Sequence, residues 1–263
     1  MSAFANGSTP PQQLLEALDE ICSLAVSRNV RLLIDAEQIA VQPGIDDLGL
    51  TYMRRYNRAT PGRATVYSTY QTYLKNAPQV LKSHIDIAQR EGFTLGVKLV
   101  RGAYLATEAR ELIHDTKADT DQCFDGLAAS LLTRQWTAVL PGSGAFPDVS
   151  LIVATHNADS VEKARKLVET GQSQTAVAFA QLQGMADEVS FGLLSAQSDN
   201  TAVTALGTYK YFAWGSTSDC IKYLMRRAEE NRDAIQRTRH SRDAMWSELT
   251  RRVRGTLGLD HRL

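Results

Sequence analysis

Two adjacent arginines and a glutamate three residues further on have the clearest chemistry in this chain. Arg226 and Arg227 lie in the stretch Ile221 to Glu230, whose pattern predicts a helix, and Glu230 can contact Arg227 at the i,i+3 spacing. Adjacent helical residues are about 100° apart, so both arginines cannot occupy the middle of one narrow solvent-facing stripe. Two guanidinium groups beside a site suit a small carboxylate. A solvated arginine pair is the commoner fate of such a dipeptide, so the interpretation depends on what lies nearby.

Polar side chains also stand at or just after the ends of six short apolar runs. In chain order they include Asp35, Gln71, Lys98, Thr155 with His156, Gln181, which Leu182 follows, and Tyr211. In a barrel of parallel strands, active-site residues gather at the carboxyl ends of the strands. One polar residue at a strand end is common by chance, but six in phase favour a single site at that end.

The six runs predict strands, because they are short, rich in β-branched residues and nearly continuous in apolar character. They are Val30 to Asp35, Thr65 to Thr69, Leu95 to Val100, Leu151 to Thr155, Thr175 to Phe179 and Thr208 to Phe212. Stretches of helical period separate them, and Pro11 to Arg28 predicts a helix ahead of the first strand. This alternation predicts a parallel sheet with helical crossovers. A closed (β/α)8 barrel needs eight strands, whereas we count six.

Two of the intervening helices can be delimited from the sequence. Gln79 to Glu91 has its apolar residues largely on one face. Asp159 to Gly171 begins with Asp159 and Glu162 at capping-box spacing and ends on a glycine, which favours Asp159 as its N-cap.

Composition and motifs exclude several other classes of protein. Lys plus Arg and Asp plus Glu are both 29, so the zero net charge gives no general attraction to nucleic acid, and we expect no such partner. The three cysteines form no CxxC pair and the five histidines have no metal-ligand spacing, so we expect no metal site. Walker A, HExxH and GxSxG motifs are absent from the sequence. Residues 1–13 contain no Lys or Arg and predict neither a secretory signal nor a transit peptide.

Seven motifs in order resemble the proline dehydrogenase family in its eukaryotic mitochondrial form. They span roughly Leu32 to the C-terminus, and an ordered set of this size is very specific. The motifs are Ile34-Asp35-Ala36-Glu37-Gln38, Thr69-Tyr70-Gln71-Thr72-Tyr73-Leu74-Lys75, Lys98-Leu99-Val100-Arg101-Gly102-Ala103-Tyr104-Leu105, Ala154-Thr155-His156-Asn157, Gln181-Leu182-Gln183-Gly184-Met185, Lys210-Tyr211, and Tyr223-Leu224-Met225-Arg226-Arg227-Ala228-Glu229-Glu230-Asn231.

The resemblance implies an α/β fold, a distorted (β/α)8 TIM-like barrel that holds FAD without a Rossmann fingerprint. Members of the family oxidise L-proline to Δ1-pyrroline-5-carboxylate by hydride transfer to flavin N5, and the electrons pass to a membrane quinone. The family also implies a mitochondrial location, on the matrix side of the inner membrane, with a peripheral membrane contact.

Each role is carried over by the matching position in the motifs. The substrate carboxylate would be clamped by Arg226 and Arg227, with Glu230 holding the arginines. Tyr211 would stack on the substrate ring, and Leu182, Ala103 and Tyr104 would form the pocket wall. Asp35 would belong to the surrounding polar network. FAD would contact Gln71, Lys98, Val100, Gly102, Thr155 and His156, with Lys98 near flavin N5. Related hydroxyproline dehydrogenases typically have Ser at the position of Tyr211, so a tyrosine there favours proline.

Relative to the family, we expect the first barrel strands to be missing and the chain to be truncated at its N-terminus. The expected organisation is an N-terminal tail and helix (1–28), a partial barrel domain (29–235) and a C-terminal basic helix and tail (236–263). Two alternatives stay open at this point. One is a non-catalytic homologue that acts as a binding or regulatory protein. The other is a lysine-dependent aldolase with Lys98 as its Schiff-base residue.

Overall fold

The computed structural model describes residues 10–59, 61–199, 207–231, 246 and 249–253. Six parallel strands form one sheet in the order β1-β2-β3-β4-β5-β6, and the sheet curls into a half-barrel. The strands are β1 (Leu32–Ile34), β2 (Val66–Gln71), β3 (Leu95–Val100), β4 (Val149–Ala154), β5 (Ala176–Leu182) and β6 (Gly207–Tyr211). The predicted parallel α/β architecture is therefore confirmed. Two strands extend beyond their predicted ends, so that Gln71 and Leu182 belong to the sheet itself.

Helices precede the sheet and follow each strand. They are α1 (Gln12–Arg28), α2 (Gln42–Tyr56), α3 (Ala77–Glu91), α4 (Lys117–Thr133), α5 (Ala158–Glu169), α6 (Asp187–Asp199) and α7 (Thr217–Asn231), with a short 3-10 turn at Arg110–Leu112. Helix α3 begins two residues before its predicted start and ends, as predicted, at Glu91, and it is followed by Gly92 as its C-cap with φ 69°. None of the described helices combines the length and apolar character that a bilayer crossing requires.

The N-cap predicted for α5 was wrong. Its cap is Asn157, whose side-chain oxygen accepts a hydrogen bond from Ser160 N at 3.1 Å. Glu162 instead pairs with Arg165 one turn further along the helix. Strand β4 ends at Ala154, and the chain turns into the helix directly afterwards. The N-cap of α5 therefore lies two residues before the predicted N-cap, Asp159.

The helix-covered face of the sheet carries the main apolar core. Side chains of alternate strand residues point to opposite faces, and those on this face include Val97, Leu99, Leu151 and Phe179. They pack against α3 and α4, where Leu81, Ile85, Phe124 and Leu127 are fully buried. Burial of this apolar surface supplies most of the driving force for packing the helices against the sheet.

The opposite face, which we call the inner face, has smaller and more polar side chains. Tyr67 of β2 crosses β3 above Gly96, and its hydroxyl lies 2.7 Å from Ser150 Oγ of β4. A Cβ on residue 96 would lie 3.0 Å from the Tyr67 ring and 2.2 Å from a backbone oxygen, so this crossing requires glycine. Lys98 stands two residues after Gly96 and therefore also belongs to the inner face.

Asn57 joins the beginnings of two strands from a fully buried position. Its Nδ2 donates to Val66 O at 2.8 Å and to Thr94 O at 3.0 Å, and its Oδ1 accepts from Thr65 N and Val66 N, both at 2.9 Å. All four hydrogen-bonding positions of the amide are thus used. The contact fixes the amino ends of β2 and β3, opposite the edge where the candidate site lies.

Helix α1 packs on α2 through polar contacts as well as apolar ones. Arg55 pairs with Asp19 at 2.8 Å, and Tyr52 donates to Leu15 O at 2.9 Å. The domain limits at residues 28 and 235 remain predictions, and most of the predicted C-terminal basic helix lies outside the described residues.

Candidate active site

Asp35 and Lys98 form an ion pair at the carboxyl edge of the sheet. Lys98 Nζ lies 2.5 Å from Asp35 Oδ1, with the lysine side chain 17% and the aspartate 59% exposed. The pair links the end of β1 to β3 across β2. It also bears on the aldolase alternative, since the Lys98 nitrogen that would have to attack a carbonyl is already engaged by the Asp35 carboxylate.

Gln71 ties together the loops that follow β1 and β3. Its amide nitrogen donates to Glu37 O at 3.0 Å, and its amide oxygen accepts from Ala103 N at 3.1 Å. Tyr104 adds a longer contact from its hydroxyl to Ala36 O at 3.5 Å. The structure thereby brings Gln71, Ala103 and Tyr104 together beside Asp35.

A second link between the same two loops involves their outer residues. The Glu108 carboxylate accepts a hydrogen bond from Ile39 N at 2.6 Å, and Gln38 donates to Thr107 Oγ1 at 3.0 Å. These hydrogen bonds connect the two loops at their outer residues as well. Gly102, at the base of the second loop, has φ 151°, and a Cβ there would lie 1.8 Å from the Tyr73 ring. Only glycine fits this turn directly after β3.

Thr155 and His156 follow β4 and make different kinds of contact. Thr155 is buried, and its Oγ1 accepts hydrogen bonds from Arg101 Nη1 at 2.6 Å and from Asn157 N at 3.1 Å. His156 Nε2 accepts from Leu182 N at 3.0 Å, which assigns the ring hydrogen to Nδ1. The imidazole thereby joins the end of β4 to the end of β5.

Tyr211 ends β6 in register with Leu182 of β5. The residue is 44% exposed, and its ring lies 6.0 Å from the ring of Tyr223 in α7, with the two planes inclined by 47°. This contact orients the first turns of α7 against the strand end. Helix α7 includes positions 226, 227 and 230, but the side chains of Arg226, Arg227 and Glu230 lie outside the described residues.

Arg101 is the residue whose importance sequence reasoning missed. It was part of a motif but received no role, and the structure makes it a centre of contacts between β3, α4 and α5. The available signal was its position as the first residue after β3. No cluster of three or more His, Cys, Asp or Glu in the described ranges has the arrangement of a metal site.

The family model described as proline dehydrogenase matches residues 3–240 of this chain. A probable mitochondrial proline dehydrogenase of Schizosaccharomyces pombe is 35% identical over 249 residues, which is 90% of this chain and 50% of the relative. The mitochondrial proline dehydrogenase 1 of Homo sapiens is 35% identical over 95% of this chain and 40% of its own length. A hydroxyproline dehydrogenase of Bos taurus is 34% identical, over 93% and 52%. The chain spans about half the length, or less, of these curated relatives.

A solved structure confirms the fold. Proline utilization A from Bdellovibrio bacteriovorus, inactivated by N-propargylglycine, aligns with a TM-score of 0.66 at 21% identity, over 82% of this chain and 21% of its own. The likeness supports the predicted TIM-barrel-like class, and the family match accounts for the order of the strand-end motifs. This chain belongs to the proline dehydrogenase family.

Proposed function

We propose that this chain carries the active site of an FAD-dependent proline dehydrogenase, which oxidises L-proline to Δ1-pyrroline-5-carboxylate. The observation that best supports this is the convergence of five strand ends at one edge. There the Asp35–Lys98 pair, Thr155, the His156–Leu182 contact and Tyr211 come together. The helix that carries the adjacent arginines begins a few residues later. Under the proposal, groups for a cofactor and groups for an anionic substrate would thus be adjacent, as a transfer between the two requires.

The residues at this edge fit a flat cofactor that is rich in oxygen and nitrogen acceptors. Three alanines on the inner face, Ala154, Ala178 and Ala180, contribute only small side chains there. The Lys98 ammonium lies on this face as well, and Thr155 directly follows β4. Under the proposal, FAD is held by Gln71, Lys98, Val100, Gly102, Thr155 and His156. When bound, it accepts a hydride from the substrate carbon beside the ring nitrogen.

The substrate part of the proposal rests on Tyr211 and the arginines of α7. The fork-shaped guanidinium groups of Arg226 and Arg227 match the geometry of a carboxylate. Under the proposal, Glu230 pairs with these arginines and holds them in place. Tyr211 covers one face of the substrate ring, and Leu182, Ala103 and Tyr104 form the remaining wall, with Asp35 in the polar network. Holding the carboxylate fixes the ring carbon that loses hydride while positive charge develops at nitrogen. The tyrosine favours proline over hydroxyproline, although relatives of both names match this chain.

The electron acceptor and the cellular location follow from the same assignment. We propose a quinone acceptor, reached by peripheral contact with the matrix side of the mitochondrial inner membrane. The relatives named mitochondrial support the location. A zero net charge agrees with a small-molecule enzyme that has no nucleic-acid partner.

An absorbance spectrum of the purified chain, before and after L-proline is added without oxygen, tests the proposal. We expect a flavin band that L-proline bleaches and that D-proline, the control, leaves unchanged. A flavin band that L-proline does not bleach would contradict the assigned substrate. Absence of the band even after FAD is added would favour the alternative of a non-catalytic binding or regulatory homologue.

A further inference from the structure

Arg101 binds groups from three segments with a single guanidinium. Its Nε donates to Asp121 Oδ1 of α4 at 2.8 Å, its Nη1 to Thr155 Oγ1 at 2.6 Å, and its Nη2 to Ser160 Oγ of α5 at 2.8 Å. The guanidinium carbon also lies 4.5 Å from the centre of the Phe124 ring. The planar fork is therefore fixed from two edges and one face, and it cannot rotate without breaking several contacts.

This fixed guanidinium determines how Thr155 can form hydrogen bonds. A threonine hydroxyl has one hydrogen to donate and two lone pairs to accept with. In the part of the chain that the structure describes, both hydrogen bonds that reach Thr155 Oγ1 are donated to it, by Arg101 and by Asn157 N. An arginine cannot accept a hydrogen bond, and neither can a backbone N–H. The hydroxyl hydrogen is consequently directed away from both donors.

We propose that Arg101 is a positioning residue of the cofactor site, which makes Thr155 a hydrogen-bond donor to an acceptor atom of bound FAD. This inference rests on the proposed function, because it assumes that FAD occupies the edge where Thr155 stands. Without the guanidinium, one of the two donors that direct the hydroxyl is lost, so the hydroxyl can turn its hydrogen away from the ligand and present a lone pair to it. Two acceptors would then face each other, and the contact would be lost.

A double-mutant cycle on the affinity for FAD tests the inference in the full chain. Flavin fluorescence titrations compare wild type, Thr155→Val, Arg101→Met and the double variant. We expect each single change to weaken FAD binding about tenfold, the value of one hydrogen bond to a polar ligand. The double variant should be weakened no more than either single variant, since both changes remove the same contact. Thr155→Ser, the matched control, keeps the hydroxyl and should stay within about threefold of wild type.

The outcomes separate this inference from a structural role and from the proposed function. Losses that multiply in the double variant would mean that Arg101 acts independently of Thr155, which overturns the inference. Wild-type FAD affinity in Thr155→Val would overturn it as well. A wild-type chain that binds no FAD contradicts the proposed function itself. If Arg101→Met fails to fold, Arg101→Lys replaces it in the cycle, because lysine keeps the charge beside Asp121 but lacks the fork that reaches Thr155.

Discussion

The buried imidazole of His84 predicts a specific pH dependence of folding stability. The side chain is 7% exposed between α3 and β2, where Nδ1 lies 2.8 Å from the Tyr70 hydroxyl. Burial lowers the pKa of His84 from 6.5 to about 4, because the imidazolium would lose its hydration. Between these values the unfolded chain binds a proton that the folded chain does not, so stability falls as the pH falls. From pH 7 to about pH 4.5 the expected loss is about 2 kcal/mol.

Asp46 of α2 changes the folding stability in the opposite direction over nearly the same pH range. Burial raises the pKa of its carboxyl from 3.8 to about 6, and the hydrogen bond from Gln42 at 2.8 Å offsets only part of the rise. Here the folded chain binds the proton first, so stability increases as the pH falls below 6. The gain at about pH 4.5 is about 2 kcal/mol, and the two contributions nearly cancel in the wild-type protein.

Urea unfolding of His84→Gln and Asp46→Asn at neutral and acid pH separates the two contributions. Relative to wild type, His84→Gln should gain about 2 kcal/mol on going from about pH 7 to 4.5, and Asp46→Asn should lose about 2 kcal/mol. Any effect of a substitution that does not depend on pH cancels when the same variant is compared with wild type at the two pH values. Stability differences that stay constant with pH, or that change with the same sign in both variants, would refute the argument from burial.

Four further predictions concern the strands and the candidate site. Asn57→Leu leaves four backbone groups without partners and should lower the free energy of unfolding by at least about 3 kcal/mol; a loss below about 1 kcal/mol in urea would contradict this. Gly102→Ala forces a Cβ into the Tyr73 ring and should lower the melting temperature and weaken FAD binding together, whereas an unchanged FAD affinity would remove this turn from the site. Tyr211→Ser should raise the specificity for hydroxyproline over proline about tenfold, measured as the ratio of kcat/KM values; an unchanged ratio argues against stacking. Arg226→Met should raise KM for proline about tenfold or more, and an unchanged KM would exclude it from the carboxylate clamp.

Local sequence pattern was sufficient to predict the strands and their parallel arrangement. Runs such as Leu95–Val100 and Val149–Ala154 are apolar enough to need burial, and helical stretches between them leave parallel pairing as the simple arrangement. Strand ends were harder to assign. Gln71 and Leu182 lie inside strands because their neighbours continue the backbone pairing, which a polar residue such as glutamine does not indicate.

Only the tertiary structure shows which residues the charged side chains near the site contact. Lys98 and Arg101 are cations three residues apart, yet one pairs with Asp35 on the inner face and the other with α4 and α5. The strand period of two and the turn at Gly102 separate their directions, and nothing in the charges themselves distinguishes them. Arg101 was therefore visible in a motif while its contact with Thr155, 54 residues away, was not.

The sequence by itself determined the family and the six-stranded parallel scaffold. Those properties depend on local periodicity and on the order of the motifs, and both can be read directly from the amino-acid sequence. Only the tertiary structure decided that Asn57 is a fully bonded buried amide, that Asn157 caps α5 and that Arg101 holds Thr155. Each of these depends on the turns that bring the chain together and on the strand register, and such contacts have no local signature in the sequence.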